Sequence, residues 1–495
     1  MAADNAAAAA AADQAAQLKK ARARFAWSLL PKIPLIIRLL VLRALGLSET
    51  ARYLDVRTDL TIAILRSTLN GSRPQSITKT QALTLLDPGV KGKMWISRAV
   101  AEVPPERGIR EALMGVVRSL SDSEARAAGL RVPDMAPVEA EWTGYRAGAG
   151  DDEPLPPATS EEQRYELLLR ECNNATTVLY FHGGAYYLCD PSTHRELASR
   201  LARAVGGRVY SVRYRLAPQH PFPAALLDAL VSYFTLLYPP PGSIHEAVSP
   251  RDIVLGGDSA GGNLALALTQ TLLHLHRQNA RVAWFGARRA VPLPAGVALF
   301  SPWVDMVQSM PSWATNQKWD YLPPPGRLEE VKPPADDAWP ATPPRRHLYV
   351  DDALRLHPLV SAHLAQSWAG APPVWVSCGW ECLADEDRYL VAKLRSDGVR
   401  VAFDEFEAMP HAFPVVLPRA PASARCVQAC ADFVTATRKD PLGIAARYSY
   451  VRARTLEAEE GDVAKLTPYS ESDVFGMAYA KVGREPPVPL FSPHL

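Results

Sequence analysis

The stretch "IVLGGDSAGGNLALAL", residues 253–268, passes from a short run of β-formers into a run with helical spacing, and Gly257-Asp258-Ser259-Ala260-Gly261 stands at the junction. A G-x-S-x-G between strand and helix makes a sharp turn that exposes the serine oxygen and needs small flanking residues. The helix that follows aims its first N–H groups at any negative charge forming there. The sequence therefore nominates Ser259 as nucleophile and Ala260 N–H as an oxyanion donor, with Gly257, Asp258 and Gly261 shaping the turn.

Outward from this turn, short apolar runs alternate with helical segments from Thr177 onward. "TVLYF", "RVYSVRY", "DIVLGG", "GVALFS", "PVWVSCG" and "RVAFDEFE" read as strands. Between them "THRELASRLARAVGG", "AALLDALVSYFTLL", "GGNLALALTQTLLHLHRQ" and "DEDRYLVAKLRSDG" read as helices. This alternation predicts an α/β fold: an open, mostly parallel sheet with helices on both faces. The proline-rich run 311–346 interrupts it after "LFSPW" and is expected to be a lid, a surface excursion or partly disordered.

A serine hydroxyl needs a base, and the base needs an orienting carboxylate. For a nucleophile on such a turn the chain order is serine, acid, histidine. His411 follows the last predicted strand and is the candidate base. Glu381 and Asp385 both follow the strand before it; Glu381 is nearer the strand end, while Asp385 also reads as a carboxylate at a helix N-terminus. After "TVLYF" comes His182-Gly183-Gly184-Ala185, a loop able to supply the remaining oxyanion donors from Gly184 and Ala185, with His182 and Gly183 shaping it.

Taken in order, "FHGGAYY", "YRLAPQHPFPAALLDAL", "GDSAGGN" and "MPHAF" resemble the hormone-sensitive-lipase-like group of α/β-hydrolases, which includes family IV esterases, arylacetamide deacetylases and fungal steryl acetyl hydrolases. The resemblance covers roughly residues 175–435. It implies an α/β-hydrolase fold, a serine esterase or deacetylase with no cofactor and no metal, a small-molecule ester as substrate, and an N-terminal helical cap. It puts the catalytic carboxylate at Glu381, where the family has Asp. Ala185 stands where the family has a third glycine, which suits an oxyanion loop only if its backbone accepts an L-residue. An amidase or acyltransferase of the same fold, or a non-catalytic receptor, is the alternative.

The remaining sequence sets limits. Lys plus Arg number 54 against 52 Asp plus Glu, a balance that gives no support to a nucleic-acid partner. The six cysteines lack the partner histidines of a zinc site and read as buried thiols. Residues 1–17 are Ala-rich and expected to be disordered; 18–140 are expected to hold a basic-apolar segment and the cap, 141–440 the catalytic domain, and 441–495 an extension. Within 18–47, Arg and Pro interrupt the apolar run, which argues against a spanning helix and for either peripheral membrane association or a helix capping the main domain. The resemblance implies endoplasmic-reticulum attachment for members with such basic-apolar N-termini, so location is expected to be cytoplasmic or on the endoplasmic-reticulum membrane. Tyr186, Tyr187, Trp303 and the segment from Phe25 to Leu69 are candidates for lining an acyl pocket, against the simpler reading of core aromatics.

Overall fold

The computed structural model describes residues 27–484, apart from 28, 72–73, 122–129 and 328–330. The Ala-rich start, Phe25 and the last residues of the extension lie outside the described residues. Ten strands form one sheet in the order β1-β2-β4-β3-β5-β8-β9-β10-β11-β12, and β6 and β7 (Arg281–Trp284 and Ala287–Ala290) form a separate hairpin. The centre comprises β3 (Thr177–Phe181), β4 (Arg208–Val212), β5 (Ile253–Asp258), β8 (Gly296–Phe300), β9 (Val374–Gly379) and β10 (Val401–Phe406), all parallel.

Alternation along these strands explains why both faces are covered. Leu179, Phe181 and Leu255 enter one apolar cluster, with α7 (Ala224–Leu237) and α8 (Ala260–Arg277) packed on it. Val178, Tyr180 and Val254 point the other way, into a second cluster with α6 (Pro191–Val205) and α10 (Pro421–Lys439). A strand that is apolar at every position has two faces to bury, and only a parallel sheet with helices on both sides does so. The Asp190 carboxylate caps α6 and Gly206 ends it at φ +65°, so its length is set by local chemistry.

Two expected boundaries are corrected. Residues 18–140 are not all cap: β1 (Met94–Ala101) and β2 (Val138–Tyr145) extend the sheet in antiparallel fashion, so a boundary at 140 cuts through β2. The segment after 441 likewise adds β11 (Arg447–Val451), parallel to β10, and β12 (Ala458–Gly461), antiparallel to β11. Antiparallel neighbours need no crossover, so strand-helix alternation does not signal them, and β11, which does follow a helix, is mostly half-buried and lacks the apolar run of the central strands.

Over the carboxyl ends of the central strands lie α2 (Val56–Leu69) and α3 (Ile77–Thr84), with α1 (Ile33–Ala44) packed on α2. The proline-rich run joins this layer and is not a surface excursion. Its Trp313, Trp319, Asp320 and Tyr321 are buried, Arg66 of α2 donates to Asp320 O (2.7 Å), and Asp336 accepts from Thr78 N at the start of α3 (2.8 Å).

Candidate active site

Ser259 stands between β5 and α8 at φ +53°, ψ −122°, a conformation that L-residues rarely adopt. Its neighbours hold it there: Ser259 N donates to Phe300 O (3.0 Å) and Trp303 N donates to Ser259 O (2.9 Å). The start of α8 presses so closely on the end of β3 that a Cβ at Gly261 would lie 1.9 Å from Phe181 O. Glycine is therefore a steric requirement at that position. Ser259 itself keeps partial exposure, as do Gly184 and Ala185.

The HGG loop is tied to the same turn through Asp258. Its Oδ1 accepts from Gly183 N (3.0 Å) and from Tyr180 OH (2.7 Å), and His194 Nε2 on α6 lies 3.3 Å from Oδ2. Burial pushes the Asp258 carboxyl up, but the charge and hydrogen bond of His194 and the Tyr180 hydroxyl outweigh it and hold Asp258 below its usual value. The loop closes as a turn in which Tyr187 N and Leu188 N donate to Gly184 O (3.1 and 2.8 Å). Ala185 sits at φ +51°, so its backbone is in the left-handed region that an alanine enters only at a cost of about 1 kcal/mol. His182 is buried, stacks on Tyr214 at 4.3 Å, and has its pKa lowered to about 4 by burial and the nearby His194, so it sits in this loop as a neutral ring.

A second set of loops brings Glu381 and His411 together. His411 Nδ1 is 2.8 Å from Glu381 Oε1, and Glu381 Oε2 accepts from Ser301 Oγ (2.6 Å) and Gly379 N (2.9 Å). Ser301 follows β8 directly, and its Oγ also accepts from Ala412 N (3.0 Å), so one hydroxyl joins the acid to the histidine loop. Burial pushes the His411 imidazole down, but the Glu381 charge and hydrogen bond, helped by Asp320 and Asp258, outweigh it and raise its pKa above the ordinary value. With Nδ1–H turned to Glu381, Nε2 is left as the basic nitrogen.

Asp385 does not join this pair. Its Oδ2 accepts from Ser312 N (2.9 Å) and its Oδ1 pairs with Arg388 (3.3 Å), at the start of α9 (Ala384–Ser396). Three supports escaped the sequence reading: Ser301, His194 and Asp320. Asp320 is fully buried; its Oδ1 accepts from His411 N (3.2 Å) and Tyr321 N (2.7 Å), and its Oδ2 from Cys382 N (2.8 Å). The only sequence signal was an acid set among aromatics in "KWDYL", which is weak.

Tyr186 is fully buried, donates to Asn263 Oδ1 (2.6 Å) and stacks on Tyr349, and so is a core residue; Tyr187 is half-buried. The Trp303 ring is buried and its Nε1 donates to Asp305 O (2.9 Å). Cys189 follows the HGG loop, and burial pushes its thiol up to about 12, far from a reactive thiolate. Among the described residues no group of three or more His, Cys, Asp or Glu is placed to hold a metal ion. Cavities of about 240 Å³ beside His274 and about 660 Å³ beside His245 contain none of the residues above.

Comparison with known proteins places the fold in a family. The family described as alpha/beta hydrolase fold matches residues 178–415. An acetyl-hydrolase of Streptomyces hygroscopicus is 33% identical over 264 residues, 53% of this chain and 76% of that protein. An esterase of Acinetobacter venetianus is 29% identical over 56% of this chain and 80% of its own length. A carboxylesterase/phospholipase of Mycobacterium tuberculosis is 26% identical over 62% of this chain and 74% of its own. The chain belongs to the α/β-hydrolase family. Its four ordered motifs resemble those of the hormone-sensitive-lipase-like group within that family.

Proposed function

We propose that Ser259, His411 and Glu381 cleave a hydrophobic carboxylic ester through an acyl-serine. The chain is a carboxylic-ester hydrolase; the division of labour among its residues is our reading. His411 Nε2 takes the Ser259 proton as Oγ attacks the ester carbon, and the carbonyl oxygen becomes an oxyanion. The N–H groups of Gly184, Ala185 and Ala260 receive that charge, each donor being worth about 3 kcal/mol. The tetrahedral intermediate collapses as His411 returns the proton to the departing alcohol. Water, deprotonated by the same histidine, then releases the acid and restores Ser259. Glu381 holds the imidazole in one tautomer and stabilises its cation. Asp320 is a positioning residue, fastening the loops of Glu381 and His411 to each other.

The observation that carries this reading is the buried 2.8 Å contact between Glu381 and His411, the acid and base expected for a serine on a G-x-S-x-G turn. The test is hydrolysis of p-nitrophenyl acetate, butyrate and octanoate by the wild type, Ser259→Ala and Glu381→Gln. Turnover lost in both variants supports the assignment, and the chain-length profile sizes the acyl pocket. Turnover that survives in Ser259→Ala rejects it. The matching p-nitroanilides separate esterase from amidase.

A further inference from the structure

Helix α1 is inside out for a helix in water. Ile33, Ile37, Leu40 and Val41, spaced to share one face, are 41–55% exposed, and Leu30 and Leu45 extend the patch to either side at 50% and 65%. Two cations, Lys32 just before the helix and Arg43 in its last turn, face inward, while Arg38 is exposed. Lys32 Nζ donates to Ser67 Oγ and Thr68 Oγ1 on α2 (3.1 and 2.9 Å), and Arg43 donates to Asp59 Oδ2 and Leu54 O (2.7 and 2.8 Å). A surface helix ordinarily buries its Leu and Ile and leaves Lys and Arg to solvent. Here polar bonds dock the helix and its apolar face is presented outward, beside Trp27 and Leu47, which are 71% and 69% exposed.

We infer that this face docks on a lipid bilayer surface bearing anionic headgroups. Residues 18–47 contain seven Lys or Arg and no Asp or Glu. With Lys32 and Arg43 engaged on α2, five cations have no acid in the segment to balance them, so a second copy of the same patch would meet like charge, whereas an anionic membrane is complementary. Helix α1 has 12 residues, about 18 Å at 1.5 Å per residue, and cannot cross a hydrocarbon core of about 30 Å. No helix of the described residues is long and apolar enough to do so. The helix therefore lies in the interface, its Ile and Leu in the acyl region and Arg38 at the headgroups.

Docking there has a consequence for catalysis that rests on the assignment of Ser259, His411 and Glu381 above. Helix α2 and the turn before it join α1 to the catalytic loops: Arg66 on α2 donates to Lys318 O and Asp320 O (2.8 and 2.7 Å), and Tyr53, ahead of α2, packs on Trp319 and Trp380, each at 5.3 Å. The membrane face is thus one helix away from the loops holding Glu381 and His411, placed to receive esters that partition into lipid.

Flotation of the full-length protein with phosphatidylcholine vesicles, with and without phosphatidylserine, at low and high salt, tests the docking. We expect the chain to float with the phosphatidylserine vesicles and to be released by salt. Ile37→Glu/Val41→Glu should stay unbound and Arg38→Ala should bind about five-fold more weakly, one surface charge's worth. Both should keep the wild-type Tm and turnover of soluble p-nitrophenyl acetate. Ser259→Ala should float like the wild type, which separates failure of docking from failure of the catalytic assignment. Absence of flotation, equal flotation on neutral vesicles, or a dimer that Ile37→Glu/Val41→Glu turns into monomers would each overturn the inference.

Discussion

The two halves of the active site are each built around a buried aspartate, but the aspartates come from different places. On the nucleophile side, Asp258 stands next to Ser259 in the chain and accepts the Gly183 N–H, so turn and oxyanion loop are pinned by a residue of the motif itself. On the acid-base side, Asp320 lies in the proline-rich run, 62 residues from Cys382 and 91 from His411, the residues whose N–H groups it accepts. The nucleophile half takes its anchor from the motif itself, although Asp258 reaches back 75 residues to Gly183. The acid-base half is a tertiary construction that exists only once three distant loops meet.

Substitutions sharpen that contrast. The largest effect is expected at Ser259→Ala, a loss of about 10⁴-fold or more in kcat with an unchanged fold, read by p-nitrophenyl butyrate turnover and Tm. Glu381→Gln comes next, at about 10³- to 10⁴-fold in kcat. It also moves the pH profile, and the sign follows from the histidine. Catalysis needs neutral His411, whose raised pKa keeps it protonated to a higher pH, so kcat/KM should fall with acidification around a midpoint above the ordinary value of about 6.5. Removing the Glu381 charge destabilises the imidazolium and should shift that midpoint down.

Asp258→Asn should cost about 10²-fold in kcat, comparable to losing one oxyanion donor, because the Gly183 N–H loses its charged acceptor and the loop slackens. Asp320→Asn is expected to cost less, about ten-fold, with a downward shift of the acid midpoint smaller than that of Glu381→Gln, since a charge one contact further from the ring is lost. A midpoint that stays fixed in Asp320→Asn would reduce Asp320 to a structural staple. Asp385→Asn should leave kcat within about two-fold and lower Tm slightly, as expected for a partly exposed carboxylate paired with Arg388.

The same division separates what could be read in the chain from what could not. The central strands, the turn at Ser259 and the HGG loop are signalled by residues adjacent in sequence, where periodicity and small-residue motifs act. Spacing favours Glu381, nearer the end of β9, and leaves Asp385 as the alternative; the reach of the Glu381 side chain to His411, with Asp385 held by Ser312 N and Arg388, separates them. Ser301 is an ordinary serine in "LFSPW" until the fold sets it against Glu381 and Ala412. The edge strands β1, β2, β11 and β12 lack the unbroken apolar runs of the central strands, because one side or both of each stays partly exposed. Helix α1 is the clearest case in which pattern gave too little: its basic and apolar residues are plain in the sequence, but which face turns outward depends on Ser67, Thr68 and Asp59 across α2.

The catalytic assignment is tested most directly by mass mapping of the full-length protein after reaction with diethyl p-nitrophenyl phosphate, which traps an activated serine as a phosphoryl ester. One adduct is expected, on the peptide bearing Ser259, with labelling slowed strongly in His411→Ala and lost in Ser259→Ala. An adduct on another residue, or undiminished esterase activity in protein fully labelled at Ser259, would contradict the central role given to that serine.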